Sequence, residues 1–136
     1  MRAAAEEGHI DVVKSLIERG VDVNSRSAGG WTLLHSAAEK GKVDVVRLLI
    51  ERGGEVNSCN KWDWTALHLA SRYGHLEVSQ VLIDRGADVG AVNGRGQTPY
   101  QLSLTYGHRE VGNLLLEHGS DRERFEVILI LLKCDV

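Results

Sequence analysis

The sequence predicts an all-α fold, a solenoid of stacked helix-turn-helix units. Two observations carry that prediction. The same residues return every 33 positions along nearly the whole chain: Gly8, Gly41, Gly74 and Gly107 form one column, and Gly20, Gly53, Gly86 and Gly119 another. Val12, Val45, Val78 and Val111 make a third, and Leu16, Leu49, Leu82 and Leu115 a fourth. An interval this strict means one structural unit stacked on copies of itself. Within each interval, apolar residues recur at helical spacing and glycine falls where each helix must stop.

The units run over about 1–24, 25–57, 58–90 and 91–121. Unit one starts inside its first helix, because Met1 takes the place that Leu34 holds in unit two. That helix lacks an N-cap and is expected to fray. In unit two, Thr32 is a good N-cap for a short helix reaching about Lys40, and Gly41 suits the left-handed C-cap. A second helix over about 43–52 places Val43, Val46, Leu49 and Ile50 on one stripe, and Gly53 ends it. Asn57 and the polar run after it lead by a turn into unit three. In the first helices, Ala4 with Ala5, Ala37 with Ala38, and Ala70 with Ser71 let neighbouring helices approach closely. In unit four, Thr98 precedes Pro99 at the first helical position, where proline suits a helix start.

Unit four is the least regular. Gly90 replaces the asparagine of Asn24 and Asn57, and Gly112 weakens the last second helix by about 1 kcal/mol relative to alanine. The stretch 122–136 leaves the pattern and reads RERFEVILILLKCDV. Capped by Asp121, it is expected to form a helix that lays Phe125, Ile128, Leu129 and Leu132 over the open end. A disordered tail and a self-association surface are the alternatives, and a monomer is the expectation.

Composition narrows the function. A net charge of -3 argues against nucleic-acid binding, which wants a basic face. Cys59 and Cys134 lie far apart and form no CxxC, which suits a reducing compartment. No cationic segment with a following apolar stretch opens the chain, so a secretory signal is not expected. The longest apolar run, VILILL at 127–132, is too short to span a bilayer. An intracellular protein of cytoplasm or nucleus, not secreted and away from membranes, is the expectation. No GxSxG, HExxH, GxxxxGK[ST] or GxGxxG occurs, and neither an enzymatic activity nor a cofactor is expected.

The segments TLLHSAAEKGK, TALHLASRYGH and TPYQLSLTYGH, closed by GVDVN, GGEVN, GADVG and GSD, resemble the ankyrin repeat. The resemblance covers about residues 1–121, roughly three and a half repeats. It implies antiparallel helix pairs, turns projecting as β-hairpin-like fingers, and a stack curved like a cupped hand. Departures fall in unit four: Tyr100 and Gln101 stand where Leu and His are usual, and Ser103 and Leu104 where two Ala are usual.

His35 and His68 are the histidines of that motif, expected to bond turn backbone and tie one unit to the next. His9, His75 and His108 form a row interrupted by Lys42. Ligands one unit apart, about 10 Å, cannot share a zinc ion with Zn–N bonds of about 2 Å, so no metal site is expected. His118 suits a helix C-terminus. Glu18–Arg19, Glu51–Arg52 and Asp84–Arg85 recur in register and read as a solvated charged edge. Cys59 has no neighbouring base and reads as an incidental thiol.

The aromatics carry the functional reading. All three tryptophans fall in turns, as Trp31, Trp62 and Trp64. In ankyrin repeats the finger turns and the two positions before the first helix-ending glycine line the concave face and contact the partner. The resemblance therefore implies Arg26, Ala28, Trp31, Glu39 and Lys40 in unit two as partner-binding residues. It adds Lys61, Trp62, Trp64, Arg72 and Tyr73 in unit three, and Arg95, Gln97, Thr105 and Tyr106 in unit four. Trp, Tyr and Arg are enriched at binding hot spots. Trp31 and Trp64, one unit apart, can also brace adjacent fingers; Trp62 has no counterpart in the previous finger. The expected function is reversible binding of a protein partner. One alternative is an engineered or excised scaffold without a native partner. Another is a substrate for an asparaginyl hydroxylase at Asn24 and Asn57, whose Leu-x5-Asp/Glu-Val-Asn contexts resemble hydroxylated ankyrin positions.

Overall fold

The computed structural model describes residues 2–119. Eight helices follow one another there: α1 (Arg2–Glu7), α2 (Ile10–Glu18), α3 (Leu33–Glu39), α4 (Val43–Glu51), α5 (Ala66–Tyr73), α6 (Leu76–Asp84), α7 (Pro99–Thr105) and α8 (Arg109–His118). The odd-numbered helices pack on one another in sequence as an inner row. The even-numbered helices do the same as an outer row, and each pair closes one unit. This is the stacked helix-turn-helix architecture the period requires. The expected lid at 122–136 lies outside the described residues. The first helix, expected to fray, is helical over Arg2–Glu7, with an Arg2–Glu6 ion pair of 2.9 Å one turn apart.

Thr32, Thr65 and Thr98 each cap an inner helix and form a full capping box, whose return bond comes from His35, His68 and Gln101. Thr32 N–H donates to His35 Nδ1 at 3.0 Å, and His35 Nε2–H donates to the Trp64 carbonyl of the next unit at 2.9 Å. His68 repeats this with Thr65 and with the Gln97 carbonyl, both at 3.0 Å. One imidazole thus fixes a helix start and ties two units together.

The core is a ribbon running between units. Val45, Val46, Leu48 and Leu49 are buried in α4, while Val43 and Ile50 are only partly covered. The expected stripe was too narrow. An outer helix is flanked by its inner partner and by the outer helices before and after it, so a wider arc leaves water. Val12 shows the converse: it is 49% exposed, whereas Val45, Val78 and Val111 in the same column are buried, because among the described helices α2 has an outer-row neighbour, α4, on one side only. Gly112 is not merely a weak point. Its missing Cβ would sit 3.1 Å from Ser103 Oγ, a tight approach, and at an ordinary contact distance of 3.6 Å from Tyr100 Cε2, so the glycine makes room for the serine that stands where alanine is usual.

Ser71 Oγ is buried without a hydrogen-bond partner among the described residues. Alanine stands at the same position in unit two, as Ala38. Ser71→Ala should stabilise the chain by about 1 kcal/mol, read as a higher urea midpoint at unchanged slope.

Candidate functional site

Each finger is a tight turn closed by two backbone bonds: Ser27 N–H to Trp31 O at 2.9 Å, Asn60 N–H to Trp64 O at 2.9 Å and Asn93 N–H to Gln97 O at 3.0 Å, with Gly30, Asp63 and Gly96 N–H returning to Ser27, Asn60 and Asn93 O at 2.9, 3.0 and 3.0 Å. No strand forms among the described residues, so the hairpin-like fingers are turns rather than paired strands. Successive fingers bond to each other. Lys61 N–H donates to Gly29 O and Gly94 N–H to Trp62 O, both at 2.9 Å. Fingers two, three and four therefore lie side by side, in register.

Inside finger three, Asn60 Oδ1 accepts from Trp62 N–H at 2.9 Å and Trp64 N–H at 3.0 Å, which sets the loop carrying both indoles. Asp63 between them holds φ 64, the one non-glycine residue with positive φ among those described. Gly30 and Gly96 take the same conformation one unit before and after, at φ 78 and 75. Aspartate tolerates that geometry better than most residues, at some cost in strain.

Four of the expected contact residues converge. Trp62, Trp64, Arg72 and Arg95 line one concavity of about 350 Å³ with Asn60 and Gly94. The Arg72 guanidinium lies over three rings, 5.6 Å from the Trp64 centroid, 5.4 Å from Tyr73 and 5.1 Å from Tyr106, all within cation–π range. Trp62 is 54% exposed, Tyr73 43% and Tyr106 48%, while Arg72 and Trp64 are half-buried.

Other expected residues have structural attachments. Arg26 donates to Ser58 Oγ at 2.8 Å and to the Cys59 carbonyl at 3.2 Å, clamping one finger to the next. Trp31 and Trp64 pack against the capping histidines, 5.6 Å from His35 and 5.8 Å from His68 between centroids. The Gln97 amide folds back on Asn93 at 3.1 Å, and Thr105 Oγ1 donates to Gln101 O at 2.9 Å. Glu39 lends its carbonyl to His75 at 2.8 Å; Ala28, Lys40 and Lys61 are exposed. Asn24 and Asn57 bridge to the next unit: their amide groups donate to Gly53 O at 2.9 Å and Gly86 O at 3.1 Å, and accept from Glu55 N–H at 2.9 Å and Asp88 N–H at 2.7 Å.

Sequence reasoning missed two features. His75 and His108 each reach back to the preceding unit, bonding the carbonyls of Glu39 and Arg72 at 2.8 Å. Asn60 was not singled out, although the recurrence of Asn93 one period later was the available signal. The charged pairs at the outer-helix ends are exposed, as a solvated edge would be. Cys59 is a partly buried free thiol.

Burial holds the His35 and His68 imidazoles below their ordinary pKa, while the hydrogen bonds to Trp64 and Gln97 carbonyls pull partly the other way. Both rings are therefore neutral near pH 7, with Nε2 protonated. Among the described residues no three His, Cys, Asp or Glu side chains group as a metal site would need. No helix described is long and apolar enough to cross a membrane.

Capped helix pairs, register-locked fingers and a side chain-rich inner face define a repeat solenoid of the scaffold type. The chain belongs to the ankyrin repeat family: the family described as ankyrin repeats (3 copies) matches residues 1–93 and again 53–126. No curated protein matches it significantly. Ankyrin repeats are non-catalytic scaffolds, and membership supports a role in protein–protein interaction.

Proposed function

We propose that the chain binds a protein partner through its finger turns and the adjoining inner-helix face of units two to four, its concave side. The observation that carries this reading is Trp62. Its ring is more than half exposed, covers no core, and borders the one concavity that also holds Trp64, Arg72 and Arg95. A large ring left in water beside half-buried aromatic and arginine neighbours is the composition of a binding hot spot. The fingers are also individual. Position 29 in unit two is glycine, and its equivalents are Trp62 and Arg95. A consensus scaffold would repeat one residue there, so the variation favours a surface shaped for a partner over a scaffold without one.

The test is affinity capture with matched variants, wild type against Trp62→Ala and against Arg47→Ala on the outer helices. Trp62→Ala should weaken capture of the partner by about 2 kcal/mol, roughly thirtyfold, and leave helical circular dichroism and melting unchanged. Arg47→Ala should leave capture intact. If Trp62→Ala binds as wild type does, the surface is misassigned.

A further inference from the structure

We infer that the concavity beside Trp62 takes a carboxylate side chain of the partner, an Asp or Glu in an exposed acidic segment, held between the guanidinium groups of Arg72 and Arg95. The inference rests on the binding surface proposed above and adds the chemistry of its occupant.

Arg72 is the one described arginine that is half-buried; the others are exposed to varying degrees. Among the described residues no carboxylate pairs with it, nor with Arg95. The ion pairs among the described residues use Arg2, His9, Arg47 and Arg85 instead. A half-buried cation without a counter-ion has lost part of its hydration and gained no anion in return. The rings of Trp64, Tyr73 and Tyr106 compensate it through the guanidinium faces. Ring contacts leave the planar N–H fork available, and that fork matches the two oxygens of a carboxylate. They also restrict the side chain beforehand, which lowers the entropy lost on binding.

The lining of the concavity decides the sign of the ligand. It contains two arginines, two indoles, Asn60 and Gly94, and no acid. The nearest acid in sequence, Asp63, has Oδ1 3.9 Å from Cys59 Sγ, outside that lining. An aromatic cluster can also hold an alkylammonium. Here Arg72 already occupies the rings, and a second cation would meet two guanidinium groups with nothing to neutralise it. Long polyanions are disfavoured by the net charge of -3 around so small a basic spot. The concavity around Trp31 offers no such site, since Arg26 there is engaged by Ser58 and Cys59 and Arg2 by Glu6. The occupant is thus a single carboxylate with an apolar neighbour to cover Trp62.

The experiment selects a random linear peptide library on the full chain and measures the enriched sequences as synthetic peptides by titration. The expected result is an Asp or Glu beside an apolar residue. Replacing that acid by its amide should weaken binding about tenfold, Arg95→Gln should weaken the acidic peptide about as much, and the two losses should not add. Arg95 is exposed, so this variant folds even if Arg72→Gln disturbs the ring cluster. Peptides whose binding needs Trp62 but ignores the acid-to-amide change overturn the carboxylate and leave the binding surface standing. So does a phosphoserine version that binds much more tightly than the acid. If no enriched peptide needs Trp62, both readings fail.

Discussion

Gly74→Ala lowers the stability of the chain by about 3 kcal/mol, whereas Gly107→Ala, at the same place one unit later, costs about 1 kcal/mol. Both glycines hold left-handed backbone, at φ 74 and 76, so the conformational penalty is shared. What differs is the space. A Cβ on Gly107 meets nothing within 4 Å among the described residues, while one on Gly74 falls on the His108 ring. Gly41 repeats the arrangement, its Cβ position being 2.6 Å from His75 Nδ1. Moving His108 also breaks its 2.8 Å bond to the Arg72 carbonyl. The difference between the two variants in urea denaturation therefore isolates the contact between units from the backbone strain. Equal costs would show that the rings yield freely and that the units are not tightly nested. Because Arg72 lies in the last turn of α5, two residues before that glycine, Gly74→Ala should also weaken partner binding.

His68→Ala is expected to be more damaging still, by about 4 kcal/mol. It leaves the Thr65 N–H and the Gln97 carbonyl without partners in a site where His68 is fully buried. His68→Gln should be much milder. The chain already carries that solution in unit four, where Thr98 N–H donates to Gln101 Oε1 at 3.0 Å. The imidazoles also make stability depend on pH. Their folded pKa values lie below the unfolded value of about 6.5, so the unfolded chain binds more protons between the two. The contribution is complete above about pH 6.5 and is lost as pH falls from there toward the lowered folded pKa. Urea midpoints across pH 7.5 to 5 should fall for wild type and stay flatter for the His35→Gln, His68→Gln double variant. A wild-type midpoint that rises on acidification would refute the buried neutral tautomer.

Much of this was legible beforehand because the repeat samples each position several times. Thr32, Thr65 and Thr98 announced the helix starts, and the glycine columns announced the stops. The apolar arc was read too narrowly at Val45 and Leu48, because a single-helix pattern says nothing of neighbours on both flanks. His75 and His108 were placed in a row, yet their bonds run backward into the preceding unit, a direction that periodicity does not encode. The candidate surface divides the same way. Tyr73 and Tyr106 share a column, so their adjacency followed from stacking alone. That Arg72 would lie among both rings and Trp64 required side-chain conformations. Arg26 stood in a finger like the other candidates, but its donors went to Ser58 and Cys59.

The three indole N–H groups give the most direct test of the surface, since Trp31, Trp62 and Trp64 yield three separate nuclear magnetic resonance signals. On titration with a selected acidic peptide, the Trp62 and Trp64 signals should move together with the Arg95 amide, and Arg47 and Glu51 on the outer helices should stay still. Movement confined to the outer helices, with both indoles unchanged at saturation, would contradict the account.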